Sequence, residues 1–429
     1  MTRWMAVLFL VPACFRPSFD RPACPGGECP SGLECSEAQI CEPRESGADI
    51  PADAALEPDA TIALDVDAAP DACATFSGQL DTCKLVLGSD VRLDGPAAVN
   101  TYDTDTHRLV VNGINIPLMQ MTLITKQGEV DAIVAHNVVL TQGTVLRVTG
   151  SRPFAIVASG SITLERAAEI DVSDGGAGAL AVCGTPAGSG ESNSGGGGGG
   201  GGGAYSADGG DGGKGNSDAT FPSFPSKAGS GAGSIGTPAG PQGGCAGAPG
   251  GNGDLPEGMG GAGGRGGGAL YLVAAGGLEL GETSVLDAGG GGGGGGRTGG
   301  GNGDAGGGGG GSGGMILLEA PRIVGPRAQV AANGGGGGEG SNDSQAGNPG
   351  DRGTTTEGRA PGGQNGPLTG ADGGRGGSTG SLFGETVTEI QKAGGGGGGG
   401  GVGFILIVSP DVDLGTMSPG VVSPQLVRL

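Results

Sequence analysis

The chain has 429 residues, of which 106 are glycine, and a formal net charge of −22. Glycine without a strict triplet period or abundant proline excludes collagen, and the acidity excludes nucleic acid and a bare anionic bilayer as partners. Apolar residues cluster in short runs between the glycines, so only there can a core form.

The N-terminus reads as an export signal. Arg3 supplies the positive end and Trp4–Val11 an apolar run too short to span a bilayer. Val11-Pro12-Ala13-Cys14 resembles a bacterial lipobox, although Val11-Pro12-Ala13 also suits an ordinary signal peptidase. Residues 1–13 are therefore expected to be a signal peptide. Cys14 is the expected lipid attachment, and acyl chains there would anchor the protein to a membrane. No later run is long or apolar enough to cross a bilayer.

Eight cysteines remain after Cys14, and an even number in an exported chain reads as disulfides. Cys24, Cys29, Cys35 and Cys41 lie in a module at 14–45 with too few apolar residues for a core, so disulfides are expected to hold it. Four cysteines allow three connectivities, which spacing leaves open. Zinc is disfavoured, because the spacing lacks CxxC pairs and neither His107 nor His136 is close in sequence. "CPGGECPSGLECSEAQIC" resembles the small cysteine-rich segments behind the signals of bacterial surface lipoproteins. Cys73 with Cys83, and Cys183 with Cys245, supply the other disulfide candidates. Residues 46–72 carry seven acidic side chains and no Lys or Arg among Ala and Pro, the composition of an extended, disordered linker.

From residue 73 the pattern changes to short strands. Residues 73–174 are expected to form the first turns of a β-solenoid and 175–429 further turns interrupted by glycine-rich inserts. A repeat supports this. "AIVAHNVVLTQGTVLRVTG" begins at Ala132, "AIVASGSITLERAAEIDVSDGG" at Ala155, "LVAAGGLELGETSVLDAGG" at Leu272 and "LLEAPRIVGPRAQVAANGG" at Leu317. The last two align without a gap, and "ILIVSPDVDLG" from Ile405 reads as a truncated fifth copy. Three short strands in about twenty residues is the length of one turn of a parallel β-helix. Ile156, Ile162, Leu164, Ile170, Leu272, Leu278, Val285, Leu317, Ile323, Val330, Ile405 and Val412 are the expected inward ladders. Only "VTEIQKA" (Val387–Ala393) hints at a helix.

The inserts span 175–268, 289–314 and 334–403, each leaving after a third strand and returning before the next first strand. Two readings compete: flexible coil, or extended threefold polyglycine helices bonded to one another. Met259, Ala262 and Arg265 recur every third residue, as do Asp208, Asp211 and Lys214, and Asp372, Arg375 and Ser378. That register favours the bonded bundle, with these side chains on an outer face.

Residues 73–429 resemble predicted glycine-rich surface lipoproteins of Gram-negative bacteria, in which β-helix turns alternate with polyglycine arms. The segments that carry the resemblance are Ala155–Gly160 and Ile170–Gly176, with "YDTDT" (Tyr102–Thr106) before them. The arms are also similar to those of polyglycine-II antifreeze proteins and to the glycine-rich domain of certain receptor kinases.

Chemistry is weakly signalled. "GGNGDLPEG" and "GGNGDAGGG" resemble a calcium nonapeptide, but Asp254 and Asp304 come one residue early. Asp171 with Asp174, or Asp411 with Asp413, would be the carboxylates of a β-helix hydrolase or lyase, yet Asp171 alternates with apolar neighbours and is expected to face solvent. His107 and His136 are isolated in sequence, so no nucleophile triad is defensible. The glycines lack the Gly-Lys-Ser/Thr ending of a phosphate loop, and Tyr102, Tyr205 and Tyr271 are the only tyrosines. The expectation is a non-catalytic, lipid-anchored protein of the outer membrane or cell surface, with a structural or adhesive role. No metal, cofactor or catalytic residue is expected. Partners beyond the membrane would be cell-envelope or extracellular polysaccharide or other surface proteins. The alternative is a β-helix enzyme or binding module acting on extracellular polysaccharide.

Overall fold

The structure, a computed structural model, describes residues 33–35, 41–43, 89–94, 99–117, 120–125, 128–193, 195–216, 225–253, 258–298, 303–342, 344–364, 370–388 and 393–429. The chain divides into two compact units, Met1–Asp67 and Ala68–Leu429. In the first, β1 (Leu33–Cys35) pairs antiparallel with β2 (Cys41–Pro43), which sets Cys35 directly opposite Cys41 in register. The segment expected to be an export signal, Cys14, Cys24, Cys29, the acidic segment expected to be a linker, Cys73 and Cys83 lie outside the described residues.

The described part of the second unit is all β. Strands are numbered in chain order. A first sheet holds β7 (Gln120–Thr125), β8 (Gly128–Ala135), β11 (Phe154–Ala158), β14 (Ala269–Ala274), β17 (Met315–Glu319), β20 (Phe404–Val408) and β23 (Val427–Arg428). A second holds β3 (Val91–Leu93), β9 (Val138–Leu140), β12 (Ser161–Leu164), β15 (Gly277–Leu280), β18 (Arg322–Gly325) and β21 (Asp411–Leu414). A third holds β4 (Val99–Asp103), β5 (Arg108–Val111), β6 (Ile114–Ile116), β10 (Val145–Thr149), β13 (Glu169–Asp171), β16 (Val285–Asp287), β19 (Gln329–Ala331) and β22 (Val421–Ser423). All pairings are parallel except β4–β5, β5–β6 and β7–β8 at the N-terminal end.

From β8 to β22 the chain visits the three sheets in fixed order, placing one strand in each per round. Every new strand lies parallel beside its counterpart of the round before, as Ile156 beside Ile133 and Leu272. One buried cluster draws on all three sheets, with Ile156, Leu272, Leu318 and Ile405 from the first, Ile162, Leu278 and Ile323 from the second, and Ile170, Leu286 and Val330 from the third. At roughly 1.5–3 kcal/mol per buried aliphatic side chain, such burial is the main force holding the rounds together.

The register corrects the sequence reading in three places. Leu272 pairs with Leu318, not Leu317, and Leu286 pairs with Val330, so the gap-free alignment holds only for the middle strands, where Leu278 meets Ile323. A one-residue slip turns a side chain to the other face. Leu317 accordingly sits in a second cluster with Tyr271 and Phe404, and Leu286 replaces Val285 in the inner one. The copy from Ile405 is not truncated: β22 supplies its third strand after an intervening loop.

The second cluster explains why first-sheet strands read as unbroken apolar runs ("FAIVA", "ALYLVA", "FILIV"). Sheets buried on both faces need no polar alternation. Here the outer face is covered by Cys183, Tyr205 and Cys245 of the first insert. The Tyr205 ring meets Phe404 edge-on at 5.0 Å, and its hydroxyl donates to the Gln242 carbonyl at 2.7 Å. Strands of the second sheet keep the half-buried alternation, as in β12.

The corner between second and third strands repeats as well. Gly143, Ala167 and Thr283 hold φ of +71°, +56° and +56° in successive rounds. Each donates its amide to the next round, to Arg166, Glu282 and Arg327 respectively.

All three inserts join a third-sheet strand to the following first-sheet strand: β13 to β14, β16 to β17, and β19 to β20. Their glycine runs bond to one another with a period of three. Gly197, Gly200 and Gly203 donate to the carbonyls of Asp304, Gly307 and Gly310 at 2.7, 2.9 and 2.8 Å. Gly307, Gly310 and Gly313 donate to Gly395, Gly398 and Gly401 at 2.8, 2.9 and 3.0 Å, and those three return to Gly197, Gly200 and Gly203 at 2.9 Å each. The residues between point elsewhere: Gly198 and Gly201 donate to Glu191 and Gly188, Gly199 and Gly202 to Gly213 and Gly210. Backbones this close leave no room for a side chain, and a Cβ on Gly398 would overlap the Gly210 carbonyl oxygen. Met259, Ala262 and Arg265 are exposed at every third position, as are Asp208, Asp211 and Lys214. In the third series Asp372 is half-buried, Arg375 exposed and Ser378 buried. No described residue is helical; of "VTEIQKA", Glu389–Lys392 lie outside the described residues.

Candidate functional site

Of the cysteine candidates whose side chains are described, Cys183 and Cys245 form a disulfide with Cα atoms 5.7 Å apart. Both are buried in the first insert against the first sheet. The bond closes a 62-residue separation.

The third sheet carries charge into the joint between strands and inserts. The register sets Arg147, Asp171, Asp287 and Ala331 side by side on β10, β13, β16 and β19, with Glu169 two residues before Asp171. Asp171 and Asp287 are 2% and 0% exposed, which corrects the expectation that Asp171 faces solvent. What covers them is the third insert. The Arg352 guanidinium lies 3.8 Å from Oδ2 of both aspartates and donates to Ser173 Oγ at 3.3 Å.

The three carboxylates differ in their partners. Asp171 Oδ2 accepts from Arg147 at 2.9 and 3.1 Å, and its Oδ1 accepts from the Ser173 amide and hydroxyl. Asp287 Oδ1 accepts from the Gly289 amide at 2.8 Å, whereas the buried Oδ2 has no hydrogen bond. Burial pushes the Asp287 carboxyl up to about 7, against the Gly289 amide and with the nearby Asp171 charge. Burial, then Asp171, also raises Glu169. One oxygen from each of Glu169, Asp171 and Asp287 lies within 4.8 Å of the others, so these three residues could hold a metal ion.

The other polar centre lies at the N-terminal end. Asp131 on β8 is fully buried, and its carboxylate accepts from Tyr102 Oη and pairs with His107 Nδ1, both at 2.7 Å. His107 sits at φ +53° in the β4–β5 turn, where Asp103 Oδ1 accepts from the amides of Asp105 and Thr106. Its Nε2 lies 3.4 Å from Arg152 Nη1, and Arg152 pairs with Glu129 at 3.2 Å. His107 is thus not isolated, as sequence spacing suggested. Its partner lies 24 residues on. Each ring nitrogen faces a protein partner, and the set braces the "YDTDT" turn against the first sheet.

The remaining candidates do not converge. Asp174 pairs with Arg265 at 3.4 Å, and Asp411 with Arg322 at 3.1 Å on the exposed face of the second sheet. Asp413 accepts from the Thr416 hydroxyl. His136 reaches Ser159 on the surface. Asp304 is buried in the second insert, and Asp254 lies outside the described residues. Among the described residues no helix is long and apolar enough to cross a membrane.

No family model matches this chain, and no curated protein or solved structure matches it.

Proposed function

We propose that the chain is a non-catalytic, exported surface lipoprotein with a structural or adhesive role, in which a parallel β-helix presents a stacked polyglycine-II bundle. The observation that carries this reading is the reciprocal bonding among the runs at 197–203, 304–313 and 395–401. Each run spends its amides and carbonyls on its neighbours, so the inserts act as one slab rather than as three tethers. A slab joined to the spine at three successive rounds suits display or packing against a broad partner better than it suits a pocket. Its exposed threefold positions Asp208, Asp211 and Lys214 offer a regular charged row to envelope polysaccharide or other surface proteins.

The sequence carries the anchoring part of the proposal: an apolar run ending at Cys14, then a cysteine-rich module and an acidic linker. Proteolysis of intact cells tests it. The expected result is loss of the full-length protein without lysis, together with an acyl mass on Cys14 and release from the membrane fraction in Cys14→Ala. Protection until the cells are opened, or an unmodified Cys14, overturns it.

A further inference from the structure

We propose that Glu169, Asp171 and Asp287 form a calcium site in which Arg352 is the resident competitor, so that Ca²⁺ entry frees Arg352 of the third insert from the third sheet. The argument starts from register. Asp171 and Asp287 are direct neighbours on parallel strands, a like-charge pair that destabilises a sheet unless a cation lies between them. Glu169 adds a third carboxylate from the same face. Oxygens within 4.8 Å of one another can share one ion at Ca–O distances of about 2.3–2.6 Å, a span that is wide for Mg²⁺ at about 2.0–2.1 Å.

The second observation is Asp287 Oδ2. It is fully buried, faces the same guanidinium as Asp171 Oδ2, and has no hydrogen bond. A buried carboxylate oxygen without a donor is costly. Arg352 relieves it only in part, because its nitrogens stand 3.8 Å from both Oδ2 atoms, beyond hydrogen-bond reach. Arg147 is committed to Asp171 from the neighbouring strand. With all three ionised, three carboxylates against two guanidinium groups leave the cluster one positive charge short. Arg352 has an exit: its side chain is 49% exposed, and its hydrogen bond here is a 3.3 Å contact to Ser173. A dehydrated Ca²⁺ brings two charges and bonds directly to the oxygens that Arg352 does not reach. With Arg352 displaced, Arg147 and the ion together balance the three carboxylates.

The test uses the full chain after chelator treatment, titrated calorimetrically with CaCl₂ and, in parallel, with MgCl₂ and NaCl. The expected result is one Ca²⁺ bound in the range of extracellular modules, about 10⁻⁴–10⁻³ M, with Mg²⁺ weaker. Asp287→Asn keeps the shape of the side chain and should weaken binding by about tenfold or more. Arg352→Ala removes the competitor and should tighten binding several-fold. Thermal unfolding of both variants in chelator verifies that they fold. No saturable binding below about 10 mM, or binding unchanged in Asp287→Asn, overturns the site. Affinity unchanged or weakened in Arg352→Ala overturns the competition.

Discussion

The amide of Gly398 donates to the carbonyl of Gly200 at 2.9 Å, joining the third insert to the first, while Gly310 of the second insert donates to Gly398. Gly398 is therefore bonded on two sides by backbone alone. Gly398→Ala places a methyl group against the Gly210 carbonyl and should cost about 1–3 kcal/mol, as overpacking does. Gly236→Ala meets open space and should stay within about 0.5 kcal/mol of the parent. Hydrogen exchange separates the two: amides of the runs at 197–203 and 304–313 should lose protection in the first variant only. Random-coil exchange in the parent would contradict the bonded bundle outright.

Reducing the Cys183–Cys245 disulfide releases a 62-residue separation. The chain-entropy relation puts the loss at about 4 kcal/mol. Chemical unfolding of Cys183→Ser/Cys245→Ser should show a lower midpoint. Exchange should rise first around Tyr205, which packs in the same cluster.

Asp287 gives the molecule a pH dependence in chelator. The folded carboxyl titrates near 7, above the unfolded value of about 3.9. Between those values the folded state holds the extra proton, so this group's contribution falls as pH rises from about 4 to about 7 and is flat beyond. The fall is on the order of a few kcal/mol. Asp287→Asn should flatten it, making the variant the more stable protein at pH 8 relative to its own value at pH 5. Parallel stability-versus-pH curves for the two proteins would contradict this.

Ala167 holds φ +56° at a corner where the preceding round has Gly143. Left-handed backbone costs a residue with a Cβ about 1–2 kcal/mol. Ala167→Gly should recover part of that, and a urea midpoint shifted upward is the readout. Thr283→Gly, at the equivalent corner, should act in the same direction.

Asp131 holds two partners, of which Tyr102 is fully buried and His107 part-exposed. Asp131→Ala leaves the buried Tyr102 hydroxyl without its acceptor and should cost about 3 kcal/mol or more. Tyr102→Phe, which removes the donor instead, should cost less. Urea unfolding of the two variants compares them.

Much of the architecture was legible in the residues. The Ala-Ile-Val-Ala runs mark first-sheet strands, and the threefold spacing of Met259, Ala262 and Arg265 foretells their exposure. The slip at Leu317 was not legible, because each corner beside the middle strand is one residue shorter in the later round, and a gap-free alignment through that strand hides both differences. Nor was the carboxylate cluster. Asp171 alternates with apolar neighbours like any solvent-facing residue. Only the return of Arg352 from a distant insert covers it. The Asp131–His107 pair was hidden for the same reason: one partner lies in a turn and the other on the fourth strand after it.

The bonding interval among the glycine runs also restricts how such a chain can change length. Gaining or losing one or two glycines in the run at 304–313 rotates every later amide toward the wrong neighbour until the insert turns back. Adding or removing three restores the match and merely lengthens or shortens the excursion. Evolution of these segments should proceed in triplets, as reading frames do, whatever the side chains beside them become.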